Sequence, residues 1–357
     1  YVPAQATFGA PYRFDNHIFQ FANLEAERVI VMEGGGFWPT IALVQNGELL
    51  VVARSGAPHA VTRSNWANWG TGAARLVLTR SSDGGRTWSE QVPIADSRSN
   101  TDLRDGWLSQ LKDGTLVLAF HIYEFDAKGQ EITRNVDSYL TLSRDLGRTW
   151  SVPSKIDISP YTWGGPHGRI IELPSGTLLL HLSTSYDEYS GIADIFRPPG
   201  DREFHSYVFR SKDNGKTWGD RTLIGDGDET SLLRLSSGKL LAAVRGYNRS
   251  VLIHESVDEG RTWRDLGVAT EWAQVPGSLL QLKDGRVLLS YGDRRKPFLG
   301  VQAMISRDEG KTWDRQNRFQ LVWDAPNGDC GYPTSVQLPD GRIFTVYYQV
   351  DDLNNTP

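Results

Sequence analysis

One eight-residue pattern, S-x-D-x-G-x-T-W, occurs five times in this chain of 357 residues. Its aspartates are Asp83, Asp145, Asp213, Asp258 and Asp308. Serine and aspartate side chains accept hydrogen bonds from the amides of tight turns, and glycine permits a positive φ. Threonine and tryptophan favour the strand that follows. Five copies of one turn therefore indicate a repetitive architecture built from short β-strands.

A second repeat places these turns in larger units. Six segments consist of an apolar strand, a turn and another apolar strand, and their turn glycines are Gly47, Gly114, Gly176, Gly238, Gly285 and Gly341. Each of the first five is followed by the octapeptide, so one unit supplies about four strands, which is one propeller blade. The pattern predicts an all-β, six-bladed β-propeller with Asp-box turns, spanning residues 1–357 as a single domain. The last unit is short, and we expect the segment of about 12–32 to supply its outer strand.

Composition narrows the classes of partner. A hydrophobic content of 39% and a charged content of 23% are typical of a globular protein. The net charge of −5, without a basic block, argues against nucleic acid, and no apolar run is long enough to span a membrane. Cys330 is the single cysteine, so no intrachain disulfide forms. No metal-binding pattern or cofactor motif is present, and we expect a secreted or periplasmic monomer.

The hairpin register predicts a ring of polar side chains at one mouth of the propeller. Nine residues before the six turn glycines lie Trp38, Asp105, His167, Glu229, Pro276 and Tyr332. Seven residues after the same glycines lie Arg54, His121, Ser183, Arg245, Gly292 and Tyr348. Because the inner strands surround the axis, both sets are predicted to meet at one end of the channel. The prediction depends on the register, since a shift of one residue would point each side chain to the other face of its sheet.

The five octapeptides and six hairpins resemble the sialidase superfamily, also called the Asp-box or BNR family, over roughly residues 30–350. The spacing from Glu229 to Arg245 and the segment around Tyr332 match the sialidase pattern. The resemblance implies Tyr332 as nucleophile and Glu229 as the base that polarises it. It also implies Arg245, with Arg294 or Arg295, as the group that holds an anion. A neutral phenol suits substrates with a carboxylate on the anomeric carbon, because it avoids charge repulsion.

Two parts of the sialidase pattern differ in this chain. Trp38 and its neighbours stand where the family has its first arginine, and the loop 55–74, where the family has its acid, contains no Asp or Glu. Asp105 is therefore the first candidate for the acid, and His59 is the second. The further predicted substrate contacts are Arg54, Trp38, His167, Asp102 and Arg104.

These observations predict an exo-acting glycoside hydrolase that removes a terminal sialic acid or a related acidic sugar. Two alternatives stay open. One is a glycosidase or lyase for plant or algal polysaccharides on the same scaffold, and the other is a carbohydrate-binding propeller without turnover. All three have a glycan as partner. A strongly shifted pKa in the mouth favours an enzyme over a binding protein.

Overall fold

The computed structural model describes residues 29–33, 35–56, 74–95, 101–125, 132–185 and 204–350, together with four strands within residues 2–28. These parts of the chain contain strands and turns and no α-helix. Accordingly, no helix in them is long and apolar enough to cross a membrane. The all-β class predicted from the repeats is thus observed.

The four N-terminal strands form two pairs. Strand β1 (Val2–Gln5) pairs with β4 (Glu25–Arg28), whereas β2 (Tyr12–Phe14) and β3 (His17–Phe21) pair with each other.

Five antiparallel sheets of four or more strands follow along the chain. Blade 1 contains β5 (Gly35–Leu43), β6 (Leu49–Ser55), β7 (Arg75–Ser81) and β8 (Val92–Ala95). Blade 2 contains β9 (Thr101–Gln110), β10 (Leu116–Phe125), β11 (Ile132–Ser143) and β12 (Ser154–Lys155). Blade 3 contains β13 (Trp163–Pro166), β14 (Ile171–Glu172), β15 (Leu178–Ser185), β16 (His205–Ser211) and β17 (Gly219–Asp226). Blade 4 contains β18 (Asp228–Arg234), β19 (Leu240–Arg245), β20 (Val251–Ser256) and β21 (Arg264–Val268). Blade 5 contains β22 (Gln274–Gln281), β23 (Val287–Asp293), β24 (Gly300–Ser306) and β25 (Asn317–Val322).

The last unit is smaller than the predicted sixth blade. Strands β26 (Cys330–Gln337) and β27 (Ile343–Gln349) form a two-stranded sheet, so the described residues give five full blades and one hairpin. Residues 12–21 extend blade 5 instead, because β3 pairs in parallel with β25. Val31 and Met32 nevertheless pack against the cluster that includes Val346 of β27. Completion of the last blade by the segment 12–32 stays a prediction.

The sheets are arranged around a central axis, which makes the fold a propeller. The strands β5, β9, β13, β18, β22 and β26 start the successive units, and contacts between neighbouring units lead around the ring and back from β26 to β5. Apolar side chains from facing sheets fill the spaces between blades, as Leu50 and Leu118 do between blades 1 and 2. At the closure, the Thr334 hydroxyl donates to the Pro39 carbonyl and accepts from the Ile41 amide.

Arg169 lies inside this ring. It follows β13 in blade 3, and its Nη2 donates to the Ile41 carbonyl in β5 at 2.7 Å and to the Ser335 carbonyl in β26 at 3.0 Å. One guanidinium thus links blade 3 to both sides of the closure. Burial lowers the pKa of Arg169 to about 10, so the group stays charged at neutral pH.

All five octapeptides form the same turn between the last two strands of their blades. In each, the serine hydroxyl donates to the aspartate at 2.7–2.8 Å and accepts from the glycine amide at 2.8–2.9 Å. The threonine hydroxyl donates to the second aspartate oxygen at 2.6 Å in every copy. The bonds from Thr217 and Ser211 lower the pKa of Asp213 to about 2. The turn therefore satisfies its own polar groups. It lies on the face of the propeller opposite the predicted mouth.

Replacement of the buried serine in one of these turns should destabilise the fold. Ser256→Ala removes the acceptor for the buried Gly260 amide, and an unsatisfied buried donor costs about 1–3 kcal/mol. Urea unfolding should show a lower midpoint with an unchanged slope. The control Ser175→Ala, on an exposed hairpin turn, should change stability by no more than about 0.5 kcal/mol. Equal losses in the two variants would contradict this account of the turn.

Candidate functional site

A bulge near the start of the inner strands turns selected side chains toward the mouth. Trp38, Asp105, Glu229 and Tyr332 have φ values of 49°, 49°, 37° and 50°, which place all four in the left-handed region. The strand pairing shifts register at each of these points. A bulge re-aims a side chain, and left-handed non-glycine residues are uncommon and concentrate at functional sites. Four of the six positions predicted from the register thus share one unusual backbone conformation.

Tyr332 and Glu229 form the centre of the site. The Tyr332 hydroxyl donates to Glu229 Oε1 at 2.6 Å, although the two residues are 103 positions apart in the chain. Arg245 Nη1 lies 3.3 Å from the same hydroxyl and 2.5 Å from Glu229 Oε2. Asp228 holds the guanidinium in place by accepting from its Nε and Nη2, both at 2.6 Å. Because Asp228 occupies two of its nitrogens, Arg245 presents the third to the tyrosine and glutamate.

Glu229 and Tyr332 both have raised pKa values. Burial raises the pKa of Glu229 to about 7 against the opposing effect of Arg245. Burial, followed by the negative charge of Glu229, raises the pKa of Tyr332 well above its ordinary value. The phenol is therefore neutral at pH 7, and Glu229 titrates close to that pH. A carboxyl group with such a pKa accepts and returns protons efficiently near neutrality.

Asp105 stands at the equivalent position of blade 2. Its Oδ2 lies 3.5 Å from His121 Nε2, and its buried Oδ1 has no hydrogen-bond partner. Burial and the neighbouring Glu229 charge raise the pKa of Asp105 to about 8, whereas burial lowers the pKa of His121 to about 3. At neutral pH the aspartate is protonated and the histidine is neutral. The side chain of Asp105 is 18% exposed, which leaves it accessible from the mouth.

The two adjacent arginines of blade 5 have different surroundings. The Arg294 guanidinium lies 5.6 Å from the centre of the Tyr332 ring, and its Nε has no hydrogen-bond partner. Arg295 instead donates to Asp293 from Nε and Nη2, both at 2.9 Å, and also contacts Glu271. Arg294 is thus part of the cluster around Tyr332, and Arg295 is tied into blade 5.

Three of the predicted substrate contacts form a buried ion cluster. Asp102 accepts from Arg54 at 2.7 and 3.1 Å and from Arg104 at 2.8 and 2.6 Å. All three are between 1% and 5% exposed, so they are not open to the mouth. Although burial alone would raise it, the two arginines lower the pKa of Asp102 to about 2. The cluster supports Trp38, whose ring lies 5.5 Å from the Arg104 guanidinium and 5.9 Å from that of Arg54.

Trp38 and His167 are more buried than expected for open sugar contacts. Trp38 is 6% exposed and packs edge-on against Tyr332 with ring centres 6.3 Å apart. His167 is 3% exposed and packs on Trp107 with ring centres 4.1 Å apart. Burial lowers the pKa of His167 well below its ordinary value, so it is neutral. His59 lies outside the described residues.

Known proteins resemble the chain in sequence and in fold. The family profile of the BNR repeat-like domain matches residues 70–345. The chain belongs to this family. It is 27% identical to a sialidase of Micromonospora viridifaciens over 97% of its length and 54% of the relative. In general it spans about half the length of the curated relatives it matches, all of them sialidases.

Solved structures share the fold of this chain. A protein of unknown function from Dyadobacter fermentans is 25% identical, with a TM-score of 0.71 over 92% of this chain and 93% of that one. A mutant NanB sialidase from Streptococcus pneumoniae is 14% identical, with a TM-score of 0.68 over 94% and 70% of the two chains. The predicted relationship to the sialidase superfamily is confirmed.

Some contacts in the BNR-family site were not predicted from the sequence, although the register placed Tyr348 at the mouth. Asp228 fixes Arg245, and Tyr348 packs against Tyr332 with ring centres 5.7 Å apart while donating to Asp329 at 2.6 Å. The acidic pair Asp228–Glu229 at the start of an inner strand was the sequence signal that could have indicated the contact between Asp228 and Arg245. No such signal indicated the contact between Tyr348 and Asp329, because the two residues are not close in the chain. Within the described ranges no group of three or more His, Cys, Asp or Glu residues is arranged to bind a metal ion.

Removal of the central carboxylate from the buried ion cluster should destabilise the protein strongly. Asp102→Asn removes the carboxylate that both Arg54 and Arg104 bond, and removing one partner of a buried ion pair costs about 3–5 kcal/mol. Urea unfolding at pH 7 measures the loss. The matched control Asp220→Asn breaks an exposed pair with Arg261 and should cost less than about 1 kcal/mol. A comparable loss in the control would mean that burial does not set the strength of the cluster.

Proposed function

We propose that the protein is an exo-acting glycoside hydrolase with a sialidase-type mechanism, which removes a terminal sialic acid or a related acidic sugar. The observation that carries the proposal is the 2.6 Å hydrogen bond from the Tyr332 hydroxyl to Glu229. A phenol bonded to a carboxyl group that titrates near pH 7 is an activated nucleophile. The sialidases among the BNR-family relatives support the reaction class.

In the proposed first step, Tyr332 Oη forms a bond to the anomeric carbon and transfers its proton to Glu229. The glycosidic bond breaks at the same carbon, and Asp105 protonates the leaving oxygen. In the second step water attacks the anomeric carbon, and Asp105 takes a proton from it. The phenolate leaves and recovers its proton from Glu229, which restores every group to its starting state. Two displacements retain the anomeric configuration.

The acidic group of the substrate would bind beside Tyr332. Arg294 lies against the tyrosine ring and has an unpartnered nitrogen, and Arg245 presents one nitrogen to the same place. Guanidinium groups suit a carboxylate because they offer parallel donors in one plane. Arg54 and Arg104 are occupied by Asp102, so in this proposal they position Trp38 rather than bind the substrate.

We also propose that β26 and β27 are the inner half of a sixth blade. The hairpin lies between blades 5 and 1 in the ring, and Thr334 bonds it to β5. Arg28, in the N-terminal segment, pairs with Asp324 at 2.8 Å in the linker that leads to this hairpin. Residues near the N-terminus therefore lie where an outer strand would complete the blade.

Loss of the nucleophile or of its base should abolish hydrolysis. We expect Tyr332→Phe and Glu229→Gln each to lower kcat/KM by at least about 10³-fold with unchanged unfolding midpoints, because each removes a group that acts on the reacting atoms. The assay is release of the leaving group from aryl glycosides of sialic acid, glucuronic acid, rhamnose and arabinose. Tyr291→Phe, a buried tyrosine in blade 5, is the control and should keep its activity.

The panel also separates the alternatives. Cleavage of the sialoside that depends on Tyr332 supports the proposal. Cleavage of another glycoside by both wild type and Tyr332→Phe would support a different polysaccharide-degrading chemistry on the same scaffold. Binding of glycans without cleavage would support a carbohydrate-binding propeller.

The pH dependence of kcat/KM should be bell-shaped with its maximum between pH 7 and 8. Glu229 acts ionised, so activity rises as pH passes its pKa of about 7. Asp105 acts protonated, so activity falls as pH passes its pKa of about 8. The two limbs belong to the interacting pair rather than to either group alone.

Asp105→Asn tests the assignment of the alkaline limb. The variant should lose that limb and about 10²–10⁴-fold of kcat/KM on an alkyl glycoside. It should lose little on a glycosyl fluoride, because fluoride leaves without protonation. If the variant keeps the alkaline limb, Asp105 is not the acid, and His59→Gln becomes the next variant to measure.

A further inference from the structure

His121 faces the carboxyl group of Asp105 across blade 2. The pairing between β9 and β10 shifts register between Ala119 and His121, opposite the bulge at Asp105. His121 is 4% exposed, and its Nε2 lies 3.5 Å from Asp105 Oδ2. Because Asp105 Oδ1 is buried while 18% of the side chain is exposed, Oδ2 is the oxygen that can reach the mouth. The imidazole therefore adjoins the reactive oxygen of the proposed acid.

The other ring nitrogen of His121 lies among groups that offer it no hydrogen bond. Nδ1 is buried and has no hydrogen-bond partner among the described residues. A Cβ atom at Gly165 in β13 would lie 3.6 Å from it, and the ring centres of Trp163 and Tyr123 lie 6.4 and 5.2 Å from that of the imidazole. A neutral imidazole has one N–H, and buried N–H groups without an acceptor are rare. The hydrogen therefore lies on Nε2, which faces Asp105.

His121 stays neutral over the pH range in which Asp105 titrates. Burial, followed by the positive charge of Arg104, lowers the pKa of His121 to about 3. The imidazole can therefore donate through Nε2 but does not compete with Asp105 for a proton. Besides Tyr123, the charged and titratable groups that act on the pair are Asp102 and Arg104 in blade 2, His167 in blade 3, Glu229 and Arg245 in blade 4, and Tyr332.

We propose that His121 is a positioning residue for the acid, whose Nε2–H donates to Asp105 Oδ2 as that oxygen releases its proton to the leaving group. This inference rests on the proposed function. A separation of 3.5 Å is long for a hydrogen bond, as expected for a carboxyl oxygen that keeps its own hydrogen. The bond strengthens when Oδ2 becomes charged, so it stabilises the transition state more than the ground state. His121 itself gains and loses no proton, and Oδ2 recovers its hydrogen from water in the second step.

The test varies the donor at position 121 and compares two substrates that share one sugar. The leaving group of a methyl sialoside needs a proton, whereas fluoride leaves sialosyl fluoride without one. His121→Phe keeps a ring but removes the donor, so it should lower kcat for the methyl sialoside about tenfold and change the fluoride kinetics less than about twofold. His121→Gln, whose amide can donate in place of Nε2, should recover most of the loss. The control His254→Gln, at a buried histidine of β20, should change neither substrate.

The pH profile distinguishes positioning from packing. Without the donor the ionised form of Asp105 loses a stabilising bond, so its pKa rises and the group stays protonated to higher pH. The alkaline limb of kcat/KM should therefore move up by about one pH unit in His121→Phe and keep its place in His121→Gln. Equal losses on the two substrates would assign His121 a structural role, and a limb that does not move would likewise overturn the proposal.

NMR spectroscopy decides the inference separately from catalysis. If the wild type hydrolyses neither substrate, the proposed function fails, and nitrogen-15 spectra of His121 with carbon-13 titration of the Asp105 carboxyl group become the test. A hydrogen on Nε2, with an Asp105 pKa that is higher in His121→Phe than in wild type, would support the inference. A hydrogen on Nδ1, or an unchanged pKa, would overturn it. If His121→Phe does not fold, the position of the hydrogen in the wild type decides alone.

Discussion

The inner strands depart from regular pleating close to the mouth, and the composition of the site depends on this departure. A regular strand would point alternate side chains into the spaces between blades, where polar groups have no partners. The left-handed residue in each bulge interrupts that alternation once and turns a tryptophan, an aspartate, a glutamate or a tyrosine toward the axis. Because L-residues resist this conformation, the surrounding sheets must hold it in place. The position of the reactive groups therefore depends on the rigidity of the blades.

The charged groups near the axis form two clusters. Asp102 with Arg54 and Arg104 is fully buried and carries one net positive charge in a set of bidentate bonds. In the second cluster, burial raises the pKa values of Asp105, Glu229 and Tyr332, and the Glu229 charge raises those of Asp105 and Tyr332 further. The Asp102 carboxylate is thus ionised at neutral pH, whereas Glu229 and Asp105, with pKa values of about 7 and 8, exchange protons near neutrality. The groups that exchange protons near neutrality are therefore different from the buried ion pairs that hold the inner strands together.

Sequence reasoning predicted the periodic part of the molecule better than its non-periodic part. The octapeptides predicted five turns that the structure shows with nearly identical hydrogen bonds, because each turn is satisfied by residues within eight positions. The register of the hairpins predicted that Tyr332, Glu229 and Asp105 meet at one mouth, because each lies nine residues before the glycine of its hairpin turn.

Long-range side-chain pairing could not be predicted in this way. Whether Arg54 faces the mouth or Asp102 depends on the packing between blades 1 and 2, and nothing in the spacing of either residue decides it. The outer strand of the last blade presents the same difficulty, because residues 12–21 can pair with more than one sheet edge, and those of blade 5 are the ones observed.

Arg169 has a consequence for the shape of ligand that the ring can accept. Its bonds to β5 and β26 cross the channel below the mouth, and Trp107 and His167 fill the adjacent space. A polymer chain therefore has no passage through the molecule. In the proposed reaction a glycan would therefore present only a terminus to Tyr332, and the released sugar would depart by the same opening through which it entered.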